Sequence, residues 1–352
     1  MEVVNGWIQS NLFPRPFVPS RKGRGKGTFY EVVIFKELNV MGKGKGFGKT
    51  ILIGDQFVLE EVPAIVSAIA FETEATVERC GGRGWVLDDN RPEVPGYKAS
   101  KKELQAVSID RIIEVMGIDT DRTPIRITLG GSLLAGSGVG ASAASCVSLA
   151  RALDEEFGLG LPIEEINRIA WEGEFAYHGV PSGVDNTASC YGGLLLYRIQ
   201  GGRKLWERIR IAAPVDVVLG NSGISADTRV LDVLVERKKE EHPKLFRERM
   251  ETITGQSFRV KENLLKGDLG EVGRIMVANH RILVEMGLSH ERLDHLCRLA
   301  LDMGAPGAKL TGGGMGGYMV ALTPGKRLQE RIAGVMEQEG FHVIRTRIGA
   351  TG

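Results

Sequence analysis

The sequence predicts an α+β protein of two lobes, and three observations carry that expectation. At 352 residues the chain exceeds one ordinary hydrophobic core. Strand-like runs and helical stretches mix in short blocks with no repeated βαβ unit and no internal repeat. Its 43% hydrophobic and 25% charged residues are those of an average globular protein, which excludes fibrous and wholly disordered classes. The expected division is a disordered tail over 1–40, an N-terminal lobe over 41–205 and a C-terminal lobe over 206–352.

The tail is expected from Pro14, Pro16, Pro19 and the run Arg21-Lys22-Gly23-Arg24-Gly25-Lys26-Gly27. A nucleic-acid arm is the alternative there, but its basic residues lack interleaved aromatics. Met41, just before the first strand-like segment, is an alternative translation start. Thr50-Ile51-Leu52-Ile53 then reads as a strand closed by the turn Gly54-Asp55. Strand signals fill 64–78, and a helix is expected over 101–116. Ile125 to Leu129 is a strand broken by Gly130-Gly131. Helical spacing of Val147, Ala150, Leu153 and Phe157 predicts a helix over 142–157 that stops at Gly158. Pro162 opens another, to about Tyr177. Strands follow at 192–197 and 215–219, then helices at 227–241, 246–265, 269–286 and 289–303. Ser289 is the expected cap of the last. Strands 309–310, 317–322 and 342–348, with a helix over 327–338, complete the chain.

Forty-five basic against forty-four acidic residues leave a formal charge of +1, so no whole-chain field invites nucleic acid or an anionic membrane. Cys80, Cys146, Cys190 and Cys297 are widely spaced and form no C-x-x-C pair, which points to reduced thiols and a cytoplasmic setting. No apolar run approaches the ~18 to 20 residues of a membrane span, and 1–40 lacks the apolar segment of a secretory signal.

Three glycine-rich segments invite a ligand. In Gly42-Lys43-Gly44-Lys45-Gly46-Phe47-Gly48-Lys49-Thr50 the Walker pattern fails, because Lys43 stands where its first glycine belongs and Lys49 opens a strand rather than a helix. Thr311-Gly312-Gly313-Gly314-Met315-Gly316-Gly317 contains a formal G-x-G-x-x-G but leads into a strand, against a dinucleotide site. It is either a tight turn between strands or a close backbone approach to a ligand. Gly136-Ser137-Gly138-Val139-Gly140-Ala141-Ser142-Ala143 leads into a helix. Its free N–H groups and helix dipole suit phosphate, although a small-residue helix start packed on a sheet would look the same.

Downstream lies the turn-rich segment His178-Gly179-Val180-Pro181-Ser182-Gly183-Val184-Asp185-Asn186, with Glu174 on the preceding helix. Each carboxylate alone reads as a cap or a surface charge. Together with a phosphate cradle and a hydroxyl they form the parts list of phosphoryl transfer: hard oxygen ligands for magnesium and a group to handle the acceptor hydroxyl.

These segments resemble the GHMP kinases, named for galactokinase, homoserine, mevalonate and phosphomevalonate kinases. Gly48-Lys49-Thr50-Ile51-Leu52 is similar to the family's G-K-x-I-L strand, Gly138–Ala144 to its G-L-G-S-S-A-A loop, and Lys309–Gly317 to its K-L-T-G-A-G-G-G-G loop. The string E-x-x-x-H-G-x-P-S-G-x-D-N, from Glu174 to Asn186, resembles the mevalonate kinase branch, as does the segment Asp88 to Tyr97. The resemblance implies an N-terminal α/β, ATP-binding lobe and a ferredoxin-like C-terminal lobe, with ATP and Mg2+ between them. It implies ATP contacts from Gly136, Ser137, Gly138, Val139, Gly140, Ala141, Ser142 and Ala143, and magnesium ligands Ser142 and Glu174. Asp185 and Lys49 become the catalytic pair. Gln56, His178, Ser182, Thr311 and Gly312 are the implied substrate contacts. The implied partner is a small molecule, mevalonate or a related hydroxy acid, not nucleic acid or membrane; a homodimer is left open.

The sequence departs from the family after the first strand. The usual G-E-H-x-V-V-H-G is Gly54-Asp55-Gln56-Phe57-Val58-Leu59-Glu60-Glu61. Gln56 keeps a hydrogen-bond donor but no charge. Extra acidic groups facing inward would repel an anionic substrate. The alternatives are therefore another hydroxy acid, a phosphorylated mevalonate derivative, or a non-catalytic nucleotide-binding relative.

Overall fold

The computed structural model describes residues 41–224 and 228–350, so the expected tail lies outside the described residues. Two sheets organise them. In the first, β1 (Gly42–Ile53) and β2 (Ala64–Arg79) form a long antiparallel pair. The near half of β2 also pairs with β5 (Leu194–Gln200), and its far half with β4 (Ile125–Gly131). β3 (Trp85–Asp89) runs parallel to β4, and β6 (Arg203–Arg208) closes the other edge beside β5. Helices α1 (Tyr97–Val115), α2 (Ala141–Phe157), α3 (Ile163–His178) and α4 (Val184–Tyr191) accompany this sheet.

The second sheet is built from β7 (Val215–Asn221), β8 (Ala308–Leu310), β9 (Tyr318–Leu322) and β10 (Val343–Ile348), in the order β10-β7-β9-β8, with every pair antiparallel. Fourth, first, third, second is the ferredoxin-like order. Between β7 and β8 run α5 (Thr228–Glu241), α6 (Pro243–Lys266), α7 (Leu269–Glu285) and α8 (Glu291–Asp302), and α9 (Lys326–Gln338) precedes β10. One buried cluster runs from Leu52, Phe57 and Ile65 to Val217, Leu219 and Val320, so apolar packing continues from one sheet to the other. A second cluster fills the space between α1, α2, α3 and the far half of the first sheet.

The first glycine-rich segment, read from sequence as a loop, is the first half of β1. Its glycines let α2 lie directly on the strand. A Cβ on Gly42, Gly44 or Gly46 would sit 2.2, 2.1 and 2.2 Å from the carbonyl oxygens of Ala152, Ser148 and Ala144. Two strand residues advance about 6.8 Å and four helix residues about 6 Å, so alternate glycines keep step with every fourth helix residue. Lys43 and Lys45 point the other way, to solvent.

Other differences are local. β3, β6 and α4 have no counterpart in the sequence reading, and β4 carries on through Gly130 and Gly131. The expected lobe boundary at 205/206 falls inside β6, so the change from one sheet to the other comes in 209–214. His290 rather than Ser289 caps α8: its ring Nδ1 accepts from the Arg292 amide at 3.2 Å, while the Ser289 hydroxyl donates to Asp294. Among the described residues no helix is long and apolar enough to cross a membrane.

Candidate active site

β1 delivers Lys49 to a cleft of about 860 Å³. The Lys49 amide donates to the Val139 carbonyl at 2.8 Å, which docks the second glycine loop against the strand. Along that loop Gly136, Gly138 and Gly140 have φ of 80°, 80° and 79°, while Ser137 and Val139 between them do not. Alternating left- and right-handed residues turn successive N–H groups to one side and make an anion-binding concavity. It opens at the N-terminus of α2, where Gly140 caps with no side-chain hydrogen bond. The Ser137 hydroxyl is buried with no partner. Gly140 also makes room for Lys49, whose Cγ would lie 2.8 Å from a Cβ there.

Glu174 reaches the same cleft from α3 and is 2% exposed. Burial pushes its carboxyl above the usual range; His178 opposes this, the nearby Asp185 adds to it, and the neighbouring Ser142 hydroxyl and Lys49 pull it back. His178 Nε2 lies 3.6 Å from Glu174 one helical turn later. Asp185 is the second residue of α4, a helix that starts from Gly183 at φ 90°. Its Oδ2 is 3.1 Å from Lys49 Nζ; the lysine side chain is 6% exposed and the aspartate 25%. The structure thus brings Lys49, Ser142, Glu174, His178 and Asp185 together, from β1, α2, α3 and α4.

The third glycine loop closes the cleft from the second sheet, and two side chains tie it down. The Thr311 hydroxyl accepts from the Ile51 amide at 2.8 Å, donates to the Ile51 carbonyl at 3.0 Å and meets the Thr50 hydroxyl at 3.1 Å. Thr311 lines the cleft, yet its hydroxyl joins the loop to β1, which differs from a substrate contact through that group. The Gly312 amide donates to Asp55 Oδ1 at 3.1 Å.

Asp55 also meets Lys309 Nζ at 2.5 Å in an ion pair whose side chains are 2% and 0% exposed. Burial pushes the Asp55 carboxyl up and the Lys309 ammonium down; their mutual attraction opposes both, and the Gly312 amide adds to it at Asp55. The negative charge at Asp55 is therefore compensated inside the protein. Glu60 faces Lys239 at 3.0 Å and Glu61 accepts from the Gly201 amide at 3.0 Å; neither lines the cleft. The feared repulsion of an anionic substrate does not arise from these residues. Gln56 does line the cleft, with its amide donating to Asp232 of α5 at 2.7 Å. Ser182 lines it too.

Sequence reasoning missed Tyr97, Lys101, Asn221 and His342, which also line the cleft. Tyr97 ends the 88–97 segment and could have been found there; the other three carry no motif. Among the described residues no group of three or more His, Cys, Asp or Glu is arranged to hold a metal ion. The cleft instead offers one buried carboxylate with a hydroxyl beside it, the sparse donor set on which magnesium sits when phosphate oxygens and water complete its shell.

Two family models match the chain: the GHMP kinases N terminal domain over residues 106–193 and the GHMP kinases C terminal domain over 260–342. The fold is that of the GHMP kinases. A mevalonate kinase of Pyrococcus abyssi is 32% identical over 323 residues, covering 86% of this chain and 94% of that protein, and one of Pyrococcus horikoshii is 30% identical over the same share. The crystal structure of L. major mevalonate kinase in complex with R-mevalonate superposes with a TM-score of 0.83 at 35% identity, covering 88% of this chain and 97% of that one. The chain belongs to the mevalonate kinase family, and it is an ATP-dependent small-molecule kinase.

Proposed function

We propose that this kinase transfers the terminal phosphoryl group of ATP to the primary hydroxyl of mevalonate, in the cytosol, as a step in making isoprenoid precursors. The observation that carries the reading is the Lys49–Asp185 pair at 3.1 Å, which lines the same cleft as the phosphate-loop concavity and the third glycine loop. Likeness to a mevalonate kinase crystallised with R-mevalonate supports the choice of acceptor.

Phosphoryl transfer proceeds through a loose transition state, so the protein contributes mainly position and compensating charge. In this reading the amides of Gly138, Gly140, Ala141 and Ser142 and the unpartnered Ser137 hydroxyl bind the ATP phosphates, while the Ser137 amide is held by the Leu134 carbonyl. The Ser142 hydroxyl and the Glu174 carboxylate hold magnesium, which when bound would neutralise phosphate charge. Asp185 accepts the hydrogen bond of the acceptor hydroxyl and takes its proton as the new P–O bond forms. Lys49 steadies the Asp185 carboxylate and the negative charge growing on the acceptor oxygen. Gln56, His178, Ser182 and the Gly312 backbone border the acceptor.

An assay of ATP consumption over mevalonate, phosphomevalonate, other small hydroxy acids and sugars tests the reading. Phosphorus NMR of the product should show a single monoester on the primary carbon of mevalonate. Greater turnover of another acceptor, or none of any, overturns it.

A further inference from the structure

The segment 181–183, which launches Asp185, has three successive backbone carbonyls each held by a different side chain. The Trp171 indole N–H on α3 donates to the Pro181 carbonyl at 2.7 Å. The Tyr197 hydroxyl on β5 donates to the Ser182 carbonyl at 2.7 Å. The Thr187 hydroxyl on α4 donates to the Gly183 carbonyl at 2.6 Å. Lys204 on β6 adds a fourth side: its ammonium lies 3.1 Å above the Trp171 ring, and its stem runs beside Gly183. Gly183 fits this space only because it lacks a Cβ, which would lie 2.6 Å from the Tyr197 hydroxyl, and its φ of 90° suits glycine in any case.

The preceding part of the turn is anchored far less, with Val180 67% exposed. Four elements thus converge on three peptide units two residues ahead of Asp185, and none of the converging side chains lines the cleft. Pro181 and Gly183 are buried, so their carbonyls need protein partners, and the partners supplied here come from separate elements that fix the direction in which α4 starts.

We infer that Trp171, Tyr197 and Thr187 are positioning residues for the transfer: they fix the 181–183 backbone so that the first turn of α4 holds Asp185 against Lys49 and the acceptor hydroxyl. The inference rests on the role proposed for Asp185. A carboxylate displaced by about 1 Å from its reacting partner can cost on the order of a hundredfold in rate.

The test is a double-mutant cycle on the full chain, with mevalonate and ATP. Tyr197→Phe removes one hydroxyl and keeps the ring. It should lower kcat about ten- to a hundredfold, with KM for ATP unchanged. In an Asp185→Asn background the same change should cost less than about twofold, because the group it positions is already disabled. Thr187→Val and Thr187→Ser repeat the cycle at a second site, and only the valine should lose activity; they decide the matter if Tyr197→Phe does not fold. Equal losses in both backgrounds, or full activity of both Tyr197→Phe and Thr187→Val, overturn the positioning role. An undiminished Asp185→Asn enzyme, by contrast, removes the role of Asp185 itself.

Discussion

Lys49 Nζ and Asp185 Oδ2 lie 3.1 Å apart although their residues come from the first strand and from a short helix far along the chain. What joins them is the docking of α2 on a glycine-faced strand. That contact sets the phosphate loop beside Lys49, and α4 packs against both α2 and β1, with the Ser189 hydroxyl donating to the Phe47 carbonyl at 2.6 Å. The site's geometry therefore depends on packing well away from the reacting atoms.

Gly44→Ala tests that dependence. Its Cβ would lie 2.1 Å from the Ser148 carbonyl oxygen and 2.7 Å from the Ala152 amide nitrogen, both backbone, so α2 has to move. A loss of about 1–3 kcal/mol or more is expected from overpacking, read as a lower Tm. KM for ATP should rise, because α2 carries the phosphate loop. Lys43→Ala, on the exposed face of the same strand, should stay within about 0.5 kcal/mol of the parent. Similar behaviour of the two variants would show that the helix is not seated by these glycines.

The buried Asp55–Lys309 pair gives a second expectation. Lys309→Met strands a carboxylate that is 2% exposed, and losing one partner of a buried pair typically costs about 3–5 kcal/mol. Asp55→Asn with Lys309→Met removes both charges and should recover part of that loss. Chemical denaturation of the three proteins measures it. A double variant no better than Lys309→Met would mean that the charge on Asp55 is not the source of the penalty.

His280 should make the fold sensitive to mild acid. Burial, with the Lys309 charge beside it, lowers its ring pKa to about 4, while Asp294 at 3.2 Å pulls the other way. The unfolded chain, with an ordinary histidine near 6.5, binds the proton first as pH falls. Stability is thus held above pH 6.5 and declines between about 6.5 and 4. Tm of the parent should drop more over this range than Tm of His280→Gln. Parallel curves would assign the acid sensitivity to other groups.

Much of this site was legible because its chemistry needs unusual residues in tight spacing. Three glycines alternating before a run of alanines and serines gave the phosphate loop, and Glu174 to Asn186 gave the carboxylates. The placement of Asp185 on a helix was not legible. Val184–Tyr191 is short, and its Asn186, Thr187 and Ser189 are weak helix formers that tertiary contacts hold in place. β6 was missed because all six of its residues are exposed, so no alternation marks it. The first half of β1 was missed for the opposite reason. Glycine disfavours strands by itself, and here pairing with β2 and close contact with α2 outweigh that preference.

Magnesium dependence follows from the proposed pairing of Ser142 and Glu174. Glu174→Gln keeps the size of the side chain and removes a charged hard ligand. The concentration of magnesium for half-maximal activity should rise about tenfold or more, on the order of one lost charge-assisted contact, while metal-free nucleotide binding changes little. An unshifted titration would return Glu174 to a purely structural carboxylate.

The most direct measurement is single-turnover transfer from ATP to mevalonate by the parent and by Asp185→Asn, with nucleotide affinity determined separately. The substitution keeps shape and hydrogen bonding but removes the charge that accepts the hydroxyl proton. The transfer rate should fall by about 10²- to 10⁴-fold, with ATP binding within about twofold of the parent. A folded Asp185→Asn protein that transfers phosphate at the parent's rate would contradict the role proposed for Asp185.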